Sequence, residues 1–243
     1  MEALPVIPID RLSLRFAPRP WPFAERKRTE IAAHFAALKR EKPDLWNGPV
    51  LLLHEYRIEE RAFHGAFLRT DFASFIAWRD WGFPDRSVKN CFALGALRAS
   101  DDAFLLGVMA AGTANAGKIY FPGGTPDPDD VRGDTVDLEG SVRREVAEET
   151  GVPPHELAIA TGWSMVRAEG RIALLKHMRA GEAADVLRAR IRATLAQQAH
   201  PELADIYVAR GLADLDPNMP DFVRAFLKYE WRGRQALRRG EPP

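Results

Sequence analysis

The hydrophobic positions of the first ninety residues change period several times, and each change predicts a new element. Ile31, Phe35 and Leu38 recur at helical spacing with charged residues between them, and Pro43 closes that segment. The runs that follow are rich in aliphatic and aromatic residues and have strand length. The predicted elements are an edge strand or extended arm at 9–16, a helix at 23–42, strands at 50–56 and 62–70, and a helix at 71–80.

A second series of elements begins near residue 90, after the polar stretch that follows Pro84. Val186, Ile191 and Leu195 are predicted to face the core from one helix of this series. The elements are a hairpin of 91–98 with 103–110, a short strand at 119–121, a loop at 125–136, a helix at 137–151, strands at 158–166 and 171–178, a helix at 182–198, a strand at 205–209 and a helix at 222–237. This order predicts an α/β (α+β) fold with a mixed sheet. We divide the chain into an N-terminal extension, 1–89, and a main domain, 90–243.

Three carboxylates lie on one face of the predicted helix at 137–151. Glu145, Glu148 and Glu149 are spaced i, i+3 and i+4. Each like-charged pair costs an isolated helix roughly a few tenths of a kcal/mol, so the cluster makes sense if a cation neutralises it. Carboxylate oxygens suit a hard divalent ion, Mg²⁺ first and Mn²⁺ second. Arg144 is placed to reach Glu148 at i+4 and steady the group.

The ends of this helix are also predicted by its sequence. Asp137 is a good N-cap, since its side chain accepts bonds from free backbone N–H groups. Gly151 suits the left-handed position after the last turn, and prolines follow it. Upstream, Gly123 and Gly124 form a turn whose backbone approaches a ligand closely and offers a carbonyl oxygen to a metal ion.

The segment from Arg144 to Val152 resembles the Nudix box of the Nudix (MutT-like) hydrolase family. The box has the pattern G-x5-E-x7-R-E-U-x-E-E-x-G-U, where U is apolar, and all seven fixed positions of its second half match. A lone Glu-x-x-Glu-Glu is usually a solvated helix face. The full spacing, after a Phe-Pro-Gly-Gly turn, favours the Nudix interpretation.

The first half of the box departs from the pattern. Counted back from Arg144, its glutamate falls on Val136 and its glycine on Asp130. An insertion of six residues restores Gly124 to the glycine position and leaves 125–134 as a longer acidic loop. Asp134 and Asp137 are the candidates for the missing glutamate.

The resemblance implies a Nudix α/β/α sandwich and a metal-dependent hydrolase that cleaves the pyrophosphate of a nucleoside diphosphate linked to another group. It assigns Glu145, Glu148, Glu149 and the Gly123 carbonyl as metal ligands, with Arg144 orienting them. Gly123, Gly124 and Glu202 are candidate substrate-binding residues, and Glu202 is also a candidate for the general base. A nucleotide sugar or an ADP-ribose-like compound is the expected substrate. The segment 104–124 contains no arginine, which argues against coenzyme A.

Composition narrows the class of partner. Lys plus Arg and Asp plus Glu number 34 each, so the formal net charge is zero and no nucleic-acid partner is expected. The basic residues Arg232, Arg234, Arg238 and Arg239 are predicted to be a solvated helix end.

The longest apolar stretch is too short to span a membrane. A lone cysteine and the lack of a signal-peptide pattern predict a cytoplasmic protein. The extension at 1–89 leaves room for a lid or for the arm of a homodimer.

Two other interpretations share the fold. One is a non-catalytic Nudix module that senses a nucleotide; such regulators usually carry a DNA-binding helix-turn-helix or lack box glutamates, whereas this chain keeps all three. The other is an isoprenoid diphosphate isomerase, which needs a reactive cysteine. Cys91 lies in Lys-Asn-Cys-Phe-Ala, outside the expected context.

Overall fold

The computed structural model describes residues 4–239, with side chains to residue 233, so the basic side chains of Arg234, Arg238 and Arg239 lie outside the described residues. The strands are β1 (Val6–Ile9), β2 (Arg11–Phe16), β3 (Pro49–Glu59), β4 (Ala62–Asp71), β5 (Asn90–Arg98), β6 (Phe104–Met109), β7 (Ile119–Tyr120), β8 (Gly123–Gly124), β9 (Val131–Arg132), β10 (Thr135–Val136), β11 (Leu157–Ile159), β12 (Trp163–Ala168), β13 (Arg171–Ala180) and β14 (Leu203–Ala209). The α-helices are α1 (Pro22–Arg26), α2 (Arg28–Glu41), α3 (Phe72–Asp80), α4 (Leu138–Thr150), α5 (Ala184–Leu195) and α6 (Asp221–Arg239).

The larger sheet has helices on both faces, which confirms the predicted α/β fold. Its main order is β1-β12-β13-β5-β6-β14, and the central pair β5–β13 is parallel. Alternate residues of β5 enter two cores: Cys91 packs towards α4 and α5, whereas Phe92 packs towards α6. The central strands are therefore buried on both sides, as expected for a parallel pair between helical layers.

The smaller sheet is built mainly from the first ninety residues. Its order is β3-β4-β2-β10-β9, with β2 parallel to β4. Helices α1 to α3 cover it through an aromatic cluster that includes Trp21, Phe23 and Trp78. The sequence predicted an irregular loop at 125–136. Part of that segment instead forms the paired strands β9 and β10. Its two short strands extend the sheet beside β2.

The extension at 1–89 is paired with the rest of the chain at several points. Val6 of β1 lies opposite Val166 of β12, and Leu53 exchanges backbone hydrogen bonds with Lys89. The Leu51 N–H also donates to the Pro126 carbonyl. The domain boundary at residue 89 and the lid or dimer arm stay predictions.

Two strand predictions were wrong in detail. The predicted strand at 9–16 is two strands in different sheets, and β2 lies inside its sheet between β4 and β10 rather than at an edge. The predicted strand at 158–166 is interrupted between β11 and β12. Within that interruption, the Thr161 carbonyl oxygen accepts a hydrogen bond from the buried Lys176 Nζ at 3.1 Å, in place of a hydrogen bond with a neighbouring strand. The closed end of the 91–110 hairpin is confirmed, with Arg98 opposite Phe104.

One of the three residues predicted to face the core from α5 is wrong. Leu187, Ile191 and Leu195 are buried at spacings of four, whereas Val186 is 58% exposed. Spacing of i, i+4 and i+8 forms one stripe along a helix, and the step from 186 to 191 leaves that stripe. The other two positions of the prediction are confirmed.

Candidate active site

Helix α4 carries the acidic cluster and has the predicted ends. The Asp137 side chain accepts a hydrogen bond from the Gly140 N–H at 2.8 Å, so it caps the first turn. Gly151 ends the helix with a left-handed φ of 72°. Val142 and Val146 are fully buried and fix the orientation of the helix on β5. The carboxylates therefore project from a rigid element.

A buried lysine joins the first turn of α4 to the central sheet. Lys176 Nζ donates to Glu139 Oε2 at 2.8 Å and lies 4.6 Å from the centre of the Trp163 ring. Arg143 donates to the other oxygen of Glu139 at 2.6 Å. The ammonium group is thus paired and hydrogen-bonded, which is the condition for burying a charge. The Lys176–Glu139 hydrogen bond therefore links the first turn of α4 to β13.

Glu149 faces the glycine turn. Its Oε1 accepts a hydrogen bond from the Gly123 N–H at 2.9 Å. Gly123 has a φ of 132°, and a Cβ there would overlap the Ala93 carbonyl oxygen, so only glycine fits. The Gly123 N–H thus joins the glycine turn to the acidic helix, while the role of the Gly123 carbonyl as a metal ligand stays a prediction.

The second oxygen of Glu149 has no partner. The side chain is 7% exposed, and Oε2 is buried without a hydrogen bond among the described residues. Burial raises the pKa of Glu149 to about 8, against the lowering effect of the Gly123 hydrogen bond, and the charges of Glu202, Glu145 and Glu148 raise it further. A carboxylate oxygen left bare in an acidic environment needs either a proton or a cation.

Arg144 joins the other two glutamates. Its Nη2 donates to Glu145 Oε1 at 3.2 Å, and its Nε lies 4.0 Å from Glu148 Oε1, as the i+4 spacing predicted. Burial raises the pKa of Glu145, and the Arg144 charge opposes that rise. The Glu148 side chain is 64% exposed. Three neighbouring glutamates therefore have three different environments on one helix.

A cleft of about 970 Å³ opens beside these carboxylates. Gly123, Gly124, Glu145 and Glu202 line one end of it. Glu202 precedes β14, far from α4 in sequence, yet its charge acts on both Glu145 and Glu149. The structure thus brings the predicted residue Glu202 to the acidic helix.

Two further walls complete the cleft. One consists of N-terminal residues, including Trp46, Phe72 and Arg79. The other holds Lys118 and the start of α6, where Arg224 lies; neither of these two cations forms an ion pair with another described side chain. Sequence analysis did not assign the N-terminal wall, because no motif marks those residues.

The residues present fit a divalent cation. The buried, unpartnered Oε2 of Glu149 is the observation that supports this, together with hard oxygen donors on Glu145 and Glu148. Within the described part of the chain, no three His, Cys, Asp or Glu side chains already converge with the spacing of a metal site. Glu148 is turned towards Arg144 and solvent, which accounts for the open arrangement.

Cys91 is remote from this chemistry. The thiol is fully buried on β5, it does not line the cleft, and burial raises its pKa far above the ordinary range. A nucleophilic or acid–base cysteine needs access to substrate. The structure therefore disfavours the isomerase interpretation.

Comparison with known proteins decides the family. The family profile of the NUDIX domain matches residues 92–227, more than half of the chain. The chain belongs to the Nudix family. It is accordingly a Nudix pyrophosphohydrolase that acts on nucleoside diphosphate derivatives. No curated protein matches the chain.

Solved structures of Nudix proteins resemble the fold at low identity. A MutT protein from Methanosarcina mazei is 20% identical over 60% of this chain and 96% of its own, with a TM-score of 0.41. The Nudix hydrolase RenU from M. smegmatis is 16% identical over 63% and 86%, with a TM-score of 0.35. A pyrophosphohydrolase from Bacillus subtilis is 14% identical over 60% and 81%, with a TM-score of 0.38. Similarity at this level carries no argument about substrate.

The carboxylate that supports the Nudix box is Asp130, which the sequence analysis missed. Asp130 is buried, and its Oδ1 accepts from Arg144 Nη2 at 2.9 Å while its Oδ2 accepts from Ser141 Oγ at 3.0 Å. Of the two expected candidates, Asp137 caps α4 and Asp134 is exposed, and neither pairs with Arg144.

A simple spacing signal would have found Asp130. Five residues separate Gly124 from Asp130, as G-x5-E requires, with Asp in place of Glu. The insertion then falls after Asp130, at 131–136, and these six residues are the β9–β10 hairpin. The box was therefore lengthened by a hairpin that pairs with β2, which leaves the Asp130–Arg144 contact in place.

Proposed function

We propose that the chain is a Mg²⁺-dependent hydrolase, with Mn²⁺ as an alternative ion, that cleaves the pyrophosphate bond of a nucleotide sugar or an ADP-ribose-like compound. The observation that carries this proposal is Glu149. Its buried second oxygen has no hydrogen-bond partner among the described residues, and its neighbours Gly123 and Glu145 line a cleft large enough for more than a mononucleotide. The buried Cys91, as the single cysteine, supports the expected cytoplasmic location.

Glu145, Glu148, Glu149 and the Gly123 carbonyl are the groups that would hold the metal ion. When bound, such an ion shields the negative charge of the pyrophosphate and lowers the pKa of water. Arg144 contacts both Glu145, which lines the cleft, and Glu148, and Asp130 holds Arg144. The carboxylates are therefore oriented before substrate arrives, which reduces the reorganisation needed during reaction.

The remaining residues bind substrate and position the nucleophile. Lys118 and Arg224 supply positive charge to the phosphate groups from the walls of the cleft. Gly124 leaves its side of the cleft open, since a Cβ there would meet nothing within 4 Å. The Glu202 carboxylate, at the same end as Glu145, accepts a hydrogen bond from the attacking water and is the proposed general base.

A substrate panel tests the proposal. Purified protein is assayed with Mg²⁺ and with Mn²⁺ on ADP-ribose, nucleotide sugars and dinucleotides, and products are identified by chromatography. Cleavage into a nucleoside monophosphate and a second monophosphate is expected. Glu149→Gln keeps the shape of the side chain but removes its charge, and it is expected to reduce kcat at least ~100-fold. Absence of turnover on the whole panel with either ion rejects the proposal.

The matched control is the exposed carboxylate Glu156, which pairs with Arg190 away from the cleft. Glu156→Gln is expected to leave turnover unchanged. Circular dichroism of both variants separates lost chemistry from lost folding.

A further inference from the structure

Trp46 is an exposed indole at the edge of the active-site cleft. Its surface is 76% exposed, the largest exposed fraction among the large hydrophobic residues of the described chain. It lines the same cleft as Glu145 and Glu202. A large aromatic group left in water beside a ligand site is a candidate contact for an apolar part of the ligand.

The backbone around Trp46 is fixed. Leu45, on one side, is buried. On the other side, Asn47 Oδ1 accepts from the Ala73 N–H at 2.7 Å, and the Gly48 carbonyl accepts from the Phe72 N–H at 2.8 Å. Both contacts are made with the start of α3, so Trp46 is presented by a rigid segment while its side chain is exposed.

The indole also has a defined support. Its ring lies directly over Gly48, where a Cβ would overlap it. Four other aromatic rings of the cleft pack in pairs, Phe92 on Phe222 at 5.4 Å and Phe72 on Phe75 at 5.9 Å. Tyr120 also lines the cleft, but it is half-buried and its hydroxyl accepts from Asn115. Among the described cleft residues Trp46 is therefore the most exposed aromatic surface, and its ring is supported by Gly48.

We propose that Trp46 stacks on the nucleobase of the substrate, so that residues 42–48 form the nucleobase subsite. This inference rests on the proposed function and adds the part of the substrate that the N-terminal segment recognises. Every nucleobase has a flat π face, so stacking suits a free indole surface and tolerates different bases. The phosphates then lie between this subsite and the acidic end, in reach of the cations Lys118 and Arg224.

Kinetics on matched substrates test the subsite. The probes are ADP-ribose and ADP-glucose, which share the base, and phosphoribosyl pyrophosphate, which has a diphosphate and no base. Trp46→Ala is expected to lower kcat/KM for both base-bearing compounds by roughly 5- to 150-fold, mainly through KM. Turnover of the base-free compound is expected to be unchanged. Trp46→Phe keeps a π face and is expected to retain most of the activity.

The control is Trp81→Ala. Trp81 is also partly exposed but packs on Phe23 and His34 and does not line the cleft. Its removal is expected to leave kcat/KM unchanged for all three compounds. Equal losses on base-bearing and base-free substrates in Trp46→Ala, or no loss at all, overturn the inference. A loss that depends on the sugar rather than the base assigns Trp46 to the other end of the substrate and also overturns it.

Calorimetry with AMP separates this inference from the proposed function. Wild-type protein is expected to bind AMP more tightly than Trp46→Ala by a similar factor. If no substrate is turned over while AMP binding still depends on Trp46, the proposed function fails and the subsite stands. If wild type and Trp46→Ala bind AMP equally, or if neither binds it, the subsite is rejected.

Discussion

The two ends of the cleft are built in different ways. The acidic end contains Glu145, which lines the cleft, and its neighbour Glu149; both belong to one helix whose caps, spacing and anchoring residues are consecutive in sequence. The N-terminal wall of the cleft, called here the aromatic end, contains Trp46, Phe72 and Arg79, which come from a loop and a helix of a different sheet layer. The first end contains carboxylates held by hydrogen bonds, whereas the second offers aromatic surface and cations.

This difference separates chemistry from recognition. The acidic end has the groups expected for charge stabilisation and proton transfer, and small displacements there are costly. The aromatic end contacts the part of the substrate that does not react, so its removal should weaken binding more than turnover. Variants at the two ends should therefore affect kcat and KM differently.

After Glu149→Gln, the largest effect on turnover is expected from Asp130→Asn, also at the acidic end. The change removes the charge that holds Arg144, so Glu145 and Glu148 lose their common support. Loss of a residue that orients metal ligands typically costs about 10- to 100-fold in activity. The measurement is kcat at saturating Mg²⁺, together with the Mg²⁺ concentration for half-maximal rate, which should rise.

Asp134→Asn is the matched control, because Asp134 is exposed on the hairpin that follows Asp130 and does not pair with Arg144. Asp130→Glu restores the usual box residue and should recover part of the activity. An Asp130→Asn enzyme with unchanged metal dependence would refute the supporting role.

A smaller effect is expected at the aromatic end, from Arg79→Ala. Arg79 Nη1 donates to Asn115 Oδ1 at 2.9 Å, and Asn115 Nδ2 donates to the Tyr120 hydroxyl at 3.1 Å. Arg79 lines the cleft, and its removal is expected to cost the substrate one hydrogen bond worth about 1 kcal/mol, so KM should rise about fivefold while kcat changes little. Steady-state kinetics on the best substrate measures both constants.

Arg69→Ala removes an arginine of the same layer that does not line this cleft, and it should leave both constants unchanged. A fall in kcat without a change in KM would show that Arg79 acts in the chemical step with the acidic end, and it would contradict the functional difference between the two ends.

The smallest effect is a pH dependence of stability without metal. Burial raises the pKa of Glu149 from its ordinary value of about 4.5 to about 8, so the folded protein binds more protons between these values. The free energy of unfolding should therefore fall as pH rises across that window. Urea unfolding in EDTA at several pH values measures this slope, which should be shallower in Glu149→Gln. Parallel slopes in the two proteins would show that Glu149 does not carry a buried proton.

Part of the site was predictable because it depends on local spacing. The carboxylates, Arg144, the cap at Asp137 and the stop at Gly151 were all predicted from positions within one helix. Asp130 was missed because the hairpin at 131–136 interrupts the box pattern. Val186 was misassigned because Val186 and Leu187 are both apolar, and only the packing of the helix on the core shows that Leu187 is the buried one.

By itself, the sequence determined the acidic helix, the glycine turn before it and the class of α/β fold, since these follow from periodicity and capping over short distances. Only the tertiary structure decided that Glu149 is buried with an unpartnered oxygen, that Asp130 supports Arg144 and that Trp46 lines the same cleft as Glu145. Burial and long-range contact depend on how layers pack, and residues as far apart as 46, 145 and 202 carry no shared pattern that reports their proximity.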